Sequence, residues 1–153
     1  MDSDLLWLTD SELRLWRHYL ECYREIVGQL DLDLSENAGL SLAEYEVLVH
    51  LSESTDGRSR MSQLADAMLI SRSGLTRRVD RMVRDGLVVK EVCLEDRRGT
   101  FATLTPDGWD LLKRVAPMHV AAVRSRFVGR LNQGQQEALM DALIALKGQL
   151  EDR

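Results

Sequence analysis

In the stretch SRSGLTRRVDRM, Ser71–Met82, hydroxyl and guanidinium groups recur at helical spacing. At 100° per residue, Ser73, Arg77, Asp80, Arg81 and Arg84 point to one side of a helix, with Thr76 on the flank. Leu75, Val79, Met82 and Val83 point to the other. Such a face suits entry into a DNA major groove. Arginine bonds guanine O6 and N7 in bidentate fashion, and Ser or Thr reaches bases or phosphates. A second basic cluster, Arg97 and Arg98, sits in CLEDRRGTFATLTPDG, where the chain has the composition of a turn. Both clusters have a plain reading as well, a solvated helix face and a solvated hairpin, and neither alone separates the two.

The elements that would hold these residues are marked by their ends. Capping boxes, in which a hydroxyl or amide oxygen and a Glu or Gln satisfy each other's backbone donors, stand at TDSE (Thr9–Glu12), SLAE (Ser41–Glu44) and NQGQ (Asn132–Gln135). Pro106, after Thr105, occupies the favoured first helical position. Helices are predicted at 41–54, 62–68 and 72–85, with Ser62 and Ser71 as N-caps of the second and third. Gly86 follows as a left-handed C-cap leading into two β-like runs, LVVKEV and TFATLT. Three helices and a hairpin are the layout of a winged helix-turn-helix, in a mainly α (α+β) fold.

Apolar residues at Leu13, Trp16, Leu20, Tyr23, Val27 and Leu30 define a long N-terminal helix, and Leu139, Leu143, Leu146 and Leu150 a C-terminal one. Between them Trp109, Leu112, Ala116, Val123 and Phe127 mark a third, expected to bend at Pro117. Long helices flanking a compact basic middle would leave apolar surface in water, which favours a homodimer through the two ends.

Composition sets the frame. The 153 residues, 44% hydrophobic and 29% charged, are those of a globular chain with one ordinary core. The acidic MDSDLLWLTD start lacks the basic and long apolar regions of a signal peptide, and no apolar run is long enough to span a membrane. A cytoplasmic protein without membrane partners is therefore expected. Cys22 and Cys93 form no CxxC motif, so neither a disulfide scaffold, a zinc ribbon, a metal site nor another cofactor is expected. Net charge is −5, yet ten Lys/Arg against six Asp/Glu between Arg58 and Arg98 leave that window at +4 and the remainder at −9. This asymmetry fits a basic reading surface on an acidic body.

The stretch LADAMLISRSGLTRRVDRMVRDGLVVKE, followed by EDRRGTFATLT, resembles the MarR family of bacterial transcription regulators. The wing pattern Asp-x-Arg, with Leu-Thr six residues after the arginine, is matched by Asp96, Arg98, Leu104 and Thr105. The resemblance spans nearly the whole chain. It implies a single domain over 1–153, with residues 9–34 and 106–151 as dimerisation helices and 41–105 as the DNA-binding lobe. It also implies a homodimeric regulator, a ligand-responsive repressor rather than an enzyme, reading a palindromic operator in double-stranded DNA. The recognition helix would enter the major groove and the wing the minor groove. Arg98 becomes the wing-tip arginine and Asp96 the carboxylate that holds it. A tethered guanidinium has less freedom to lose, and the narrow minor groove of A·T-rich DNA attracts it. Ser73, Thr76 and Arg77 match the recognition face, with Arg72 and Arg81 as phosphate contacts and Arg97 as a phosphate contact or a spare solvated charge; Glu95 weakens the local positive field.

The family commonly binds phenolic or other aromatic carboxylate effectors, and Trp16, Tyr19, Tyr45 and His50 could line such a cleft; each is equally an ordinary core or surface residue. A peroxide-sensing branch uses a cysteine in its first helix. Cys22 is so placed, but HYLECYRE does not reproduce that branch's pattern, and an inert thiol is the favoured reading. His119, on an apolar stripe, reads as a hydrogen-bonded interface histidine rather than a zinc ligand. Other classes stay open: a redox-sensing regulator through Cys22, a thiol enzyme using Cys22 or Cys93, or a winged-helix adaptor that does not bind DNA.

Overall fold

A computed structural model describes residues 7–92 and 99–151. In chain order the elements are α1 (Asp10–Ala38), α2 (Leu42–Glu53), β1 (Arg58–Arg60), α3 (Met61–Ala67), α4 (Arg72–Arg84), β2 (Val88–Val92), β3 (Thr100–Leu104), α5 (Pro106–Arg126) and α6 (Gln133–Glu151). This is a mainly helical winged helix with a small antiparallel sheet. The chain divides into two compact units, one ending at His119 and the other starting at Val120.

In the first unit, local chemistry sets the helix ends as expected. Thr9 and Glu12 close a capping box on α1, the Thr9 N–H donating to Glu12 Oε2 at 2.8 Å and the Glu12 N–H to Thr9 Oγ1 at 3.3 Å. Ser41 and Glu44 do the same for α2, and Ser71 Oγ accepts from the Gly74 N–H at 3.1 Å to start α4. Gly86, at φ +74°, turns the chain out of α4, and the Leu87 N–H reaches back to the Met82 carbonyl at 2.9 Å.

Ser62 does not cap α3. The helix begins at Met61, and the residue before it, Arg60, makes no side-chain cap. The reason is β1, a strand the sequence reading did not anticipate, which runs directly into the helix. It pairs with β3 through Arg58↔Thr103, Ser59↔Ala102 and Arg60↔Phe101, while β2 pairs with the other side of β3. The sheet order is thus β1-β3-β2.

The core joins Leu34 of α1, Val47, Leu48 and Leu51 of α2, Leu64 of α3, Leu75, Val79 and Met82 of α4, Val88 and Leu104 of the sheet, and Leu112 and Val115 of α5. Burying side chains of this size stabilises by about 1.5–3 kcal/mol each. Leu75, Val79 and Met82 are wholly buried, which fixes which side of α4 faces outward.

Leu69, in the turn between α3 and α4, stands at φ +53° and is 91% exposed. A leucine there carries left-handed strain of about 1–2 kcal/mol and gains no burial in return. Leu69→Gly would remove that strain and lose about 0.5–1 kcal/mol to the greater freedom of the unfolded chain. A net gain of about 0.5–1 kcal/mol is expected, seen as a melting temperature raised by a few degrees. A lower melting temperature would contradict the strain assignment.

In the second unit, Asn132 and Gln135 form their capping box before α6, with both bonds at 3.0 Å. The long C-terminal segment is two helices, interrupted by a 3-10 turn at Val128–Arg130. Phe127 lies beyond the end of α5, and Pro117 is accommodated within that helix. On α6, Met140, Leu143, Ile144, Leu146 and Leu150 are exposed.

Candidate nucleic-acid interface

The outward side of α4 carries the residues singled out from the sequence. Arg72, Ser73, Thr76, Arg77 and Arg81 are all exposed, while Gly74 and Arg78 are half-buried. Ser73 Oγ lies 3.3 Å from the capping Ser71 Oγ. The Thr76 hydroxyl donates to the Arg72 carbonyl at 2.8 Å, so toward a ligand it presents acceptor lone pairs and a methyl group. Arg81 differs from the others. Its Nε lies 3.3 Å from Glu44 Oε1 and 3.9 Å from Asp85 Oδ2. Asp80, beside it, bonds Lys90 of β2.

Asp96, Arg97 and Arg98, with Cys93 and Glu95, lie outside the described residues. The base of their hairpin is described and closes at the Val92↔Thr100 pair. Two further cations stand on the same sheet: the guanidinium carbons of Arg58 and Arg60 lie 3.9 and 5.2 Å from the Phe101 ring centroid, and Arg58 Nε is 3.5 Å from Glu91. Sequence reasoning counted both arginines as charge but gave them no place. Their signal was the alternation in Arg58-Ser59-Arg60, which puts them on one face of a strand.

Where the hairpin returns, Thr105 locks it to the end of α4. Its hydroxyl donates to the Gly86 carbonyl at 2.6 Å and accepts from the Gly108 N–H at 3.0 Å. Its own N–H donates to the Leu87 carbonyl at 3.1 Å.

The proposed effector residues fall into separate groups. Trp16 and Tyr19 are half-exposed and stack at 5.8 Å, with Tyr23 continuing the stack at 6.3 Å from Tyr19. Tyr45 is buried and packs on His119 at 4.4 Å. Burial holds the His119 imidazole below its usual pKa, the charges of Glu46 and Asp33 pulling the other way; burial raises Tyr45. The expectation of a hydrogen-bonded His119 is not met at Nδ1, which is buried with no partner, while the ring packs on Tyr45. His50 is half-buried near the end of α2, where its carbonyl accepts from Ser54 Oγ at 2.8 Å. Cys22 is an exposed free thiol on α1. Among the described residues no group of three His, Cys, Asp or Glu could hold a metal ion, and no helix is long and apolar enough to cross a membrane.

A serine-capped helix presented outward by a three-helix core, followed by an antiparallel hairpin, defines a winged helix-turn-helix protein. The sequence pattern of the MarR family matches residues 38–99. The chain is 43% identical to AbsC, a MarR family transcriptional regulator from Streptomyces coelicolor, over 96% of this chain and 99% of that one, with a TM-score of 0.90. Sco3205, from the same organism and solved in complex with DNA, is 40% identical over 94% of each chain, also with a TM-score of 0.90. MhqR, an HTH-type transcriptional regulator of Bacillus subtilis, is 28% identical over 76% of this chain and 78% of its own length. The chain belongs to the MarR family of transcription regulators, and its role is regulatory, not enzymatic.

Proposed function

We propose that the chain works as a homodimer that binds a palindromic operator, each subunit laying α4 in a major groove and its wing in the adjacent minor groove. The observation that carries this is the exposed Ser73–Arg77 side of α4, held outward by buried Leu75, Val79 and Met82. The likeness to Sco3205, solved with DNA, supports it. Within this reading Arg77 reads a base, Ser73 and Thr76 assist, and Arg72 meets the phosphate backbone. The resemblance adds Arg98 as the minor-groove probe held by Asp96, with Arg97 on a phosphate.

Dimerisation through residues 9–34 and 106–151 is supported by apolar side chains left in water on α1 (Leu15, Trp16, Tyr19 and Tyr23) and on α6 (Met140, Leu143 and Ile144). Residues 41–105 form the DNA-binding lobe of this single domain. A dimer seated on its operator excludes other proteins from the same DNA, so repression is the mode proposed. An aromatic effector is proposed to relieve it, with Tyr45, His50, Trp16 and Tyr19 as candidate contacts.

The test is binding of the purified protein to a labelled duplex covering the DNA upstream of its own gene, titrated at several salt concentrations. Affinity is expected to fall with a log–log slope of about 0.9 per phosphate neutralised. Footprinting is expected to show two half-sites centred about one helical turn apart. Absence of any salt-dependent duplex binding would sink the reading and leave the adaptor in its place.

A further inference from the structure

Among the described residues Glu44 is the one charged side chain that is buried, at 3% exposure. Capping does not require this. In the same box at the start of α1, Glu12 makes equivalent bonds to Thr9 while exposed. A carboxylate withdrawn from water is costly unless each oxygen is engaged, and those of Glu44 have separate tasks. Oε2 accepts from the Ser41 N–H at 2.8 Å and from Ser41 Oγ at 2.9 Å, while Oε1 faces Arg81 Nε at 3.3 Å. The anchor is itself fixed, because the Leu42 N–H donates to Asp31 Oδ1 of α1 at 2.7 Å.

The geometry points to Glu44 as a positioning residue that, by holding Arg81, trims the rotation of α4 set by buried Leu75, Val79 and Met82, and thereby the direction in which Ser73 and Arg77 project. Arg81, although half-exposed, then serves as the tether and not as a phosphate contact. This rests on the reading that α4 faces DNA. Ser73, Arg77 and Arg81 follow each other at four-residue steps, a column along one face of the helix. With side chains extending about 5–6 Å from the axis, a 20° roll would displace a tip by about 2 Å. That exceeds the tolerance of a hydrogen bond to a base edge. The Asp80–Lys90 bond to β2 ties the neighbouring residue of α4 to the sheet, so the helix is held from two elements.

The two roles of Arg81 give different results when Glu44→Gln, Arg81→Ala and the double variant are titrated with the same labelled upstream duplex between 50 and 200 mM salt. Glu44→Gln keeps an amide able to cap but removes the charge. As a tether, each single variant should weaken binding roughly five- to tenfold with the wild-type salt slope, and the double variant should be no weaker than the singles. The proposal is overturned if Glu44→Gln binds as well as wild type or better, or if Arg81→Ala lowers the slope by about 0.9 per subunit, the mark of a lost phosphate contact. Should Glu44→Gln fail to fold, Arg81→Ala decides alone, through its slope. Failure of the wild type to bind any duplex overturns the DNA reading itself, an outcome distinct from a wild type that binds and a Glu44→Gln that matches it.

Discussion

Gly108→Ala is expected to cost about 3 kcal/mol of stability and to lower the melting temperature by about 6–12 °C. A Cβ at this position would stand 2.2 Å from the Leu87 carbonyl oxygen and 3.2 Å from Leu104 Cδ2. The first obstacle is backbone, and it cannot swing aside, because the same carbonyl accepts from the Thr105 N–H at 3.1 Å. The methyl group must therefore push the start of α5 away from the end of α4, stretching the Thr105 bonds to Gly86 and Gly108. Gly28→Ala provides the contrast. It lies within α1 with nothing inside 4 Å of its Cβ position, and alanine's better helix propensity should stabilise by about 0.5–1 kcal/mol. Thermal melts of the two variants beside wild type check both signs. A Gly108→Ala protein melting within a degree of wild type would show that the joint is not tight.

Arg77→Ala carries the largest expected effect on binding. If each subunit's Arg77 reads a guanine, truncation costs about 1–3 kcal/mol per subunit and relaxes preference at one base pair of each half-site. Over a symmetric dimer this amounts to roughly 30-fold to 10⁴-fold in affinity. Because Arg77 is exposed, the melting temperature should hardly move. The measurement is binding to a panel of operator variants altered one base pair at a time. A uniform loss across the panel with a reduced salt slope would reassign Arg77 to the backbone, and unchanged binding everywhere would remove it from the interface.

What the sequence disclosed depended on how locally each feature is encoded. The caps at Thr9, Ser41, Ser71 and Asn132 could be seen because donor and acceptor lie within one helical turn. The outward side of α4 followed from the spacing of Leu75, Val79 and Met82, while the wing residues that the resemblance supplied, Asp96 and Arg98, lie outside the described residues. By contrast, β1 is three residues, Arg58-Ser59-Arg60, with no apolar alternation to announce it; it exists because β3 offers it an edge. Missing that strand misplaced the start of α3 at Ser62. The capping role of Glu44 was evident at Ser41, but the use of its other oxygen was not, since Arg81 lies far along the chain and only packing brings it there. His119 was placed on an apolar stripe correctly, yet its partner, Tyr45, belongs to a different helix.

The order β1-β3-β2 has a mechanical consequence. The return strand β3 is bonded along both edges, whereas the outgoing strand β2 has the sheet on one side alone. Strain on the β2–β3 pair is therefore carried mainly by β3, which passes it straight to Thr105. That residue is fastened to the carbonyls of Gly86 and Leu87, at the tail of α4. Load from the hairpin and load from α4 thus arrive at the same rivet, and neither can be strained far without the other feeling it.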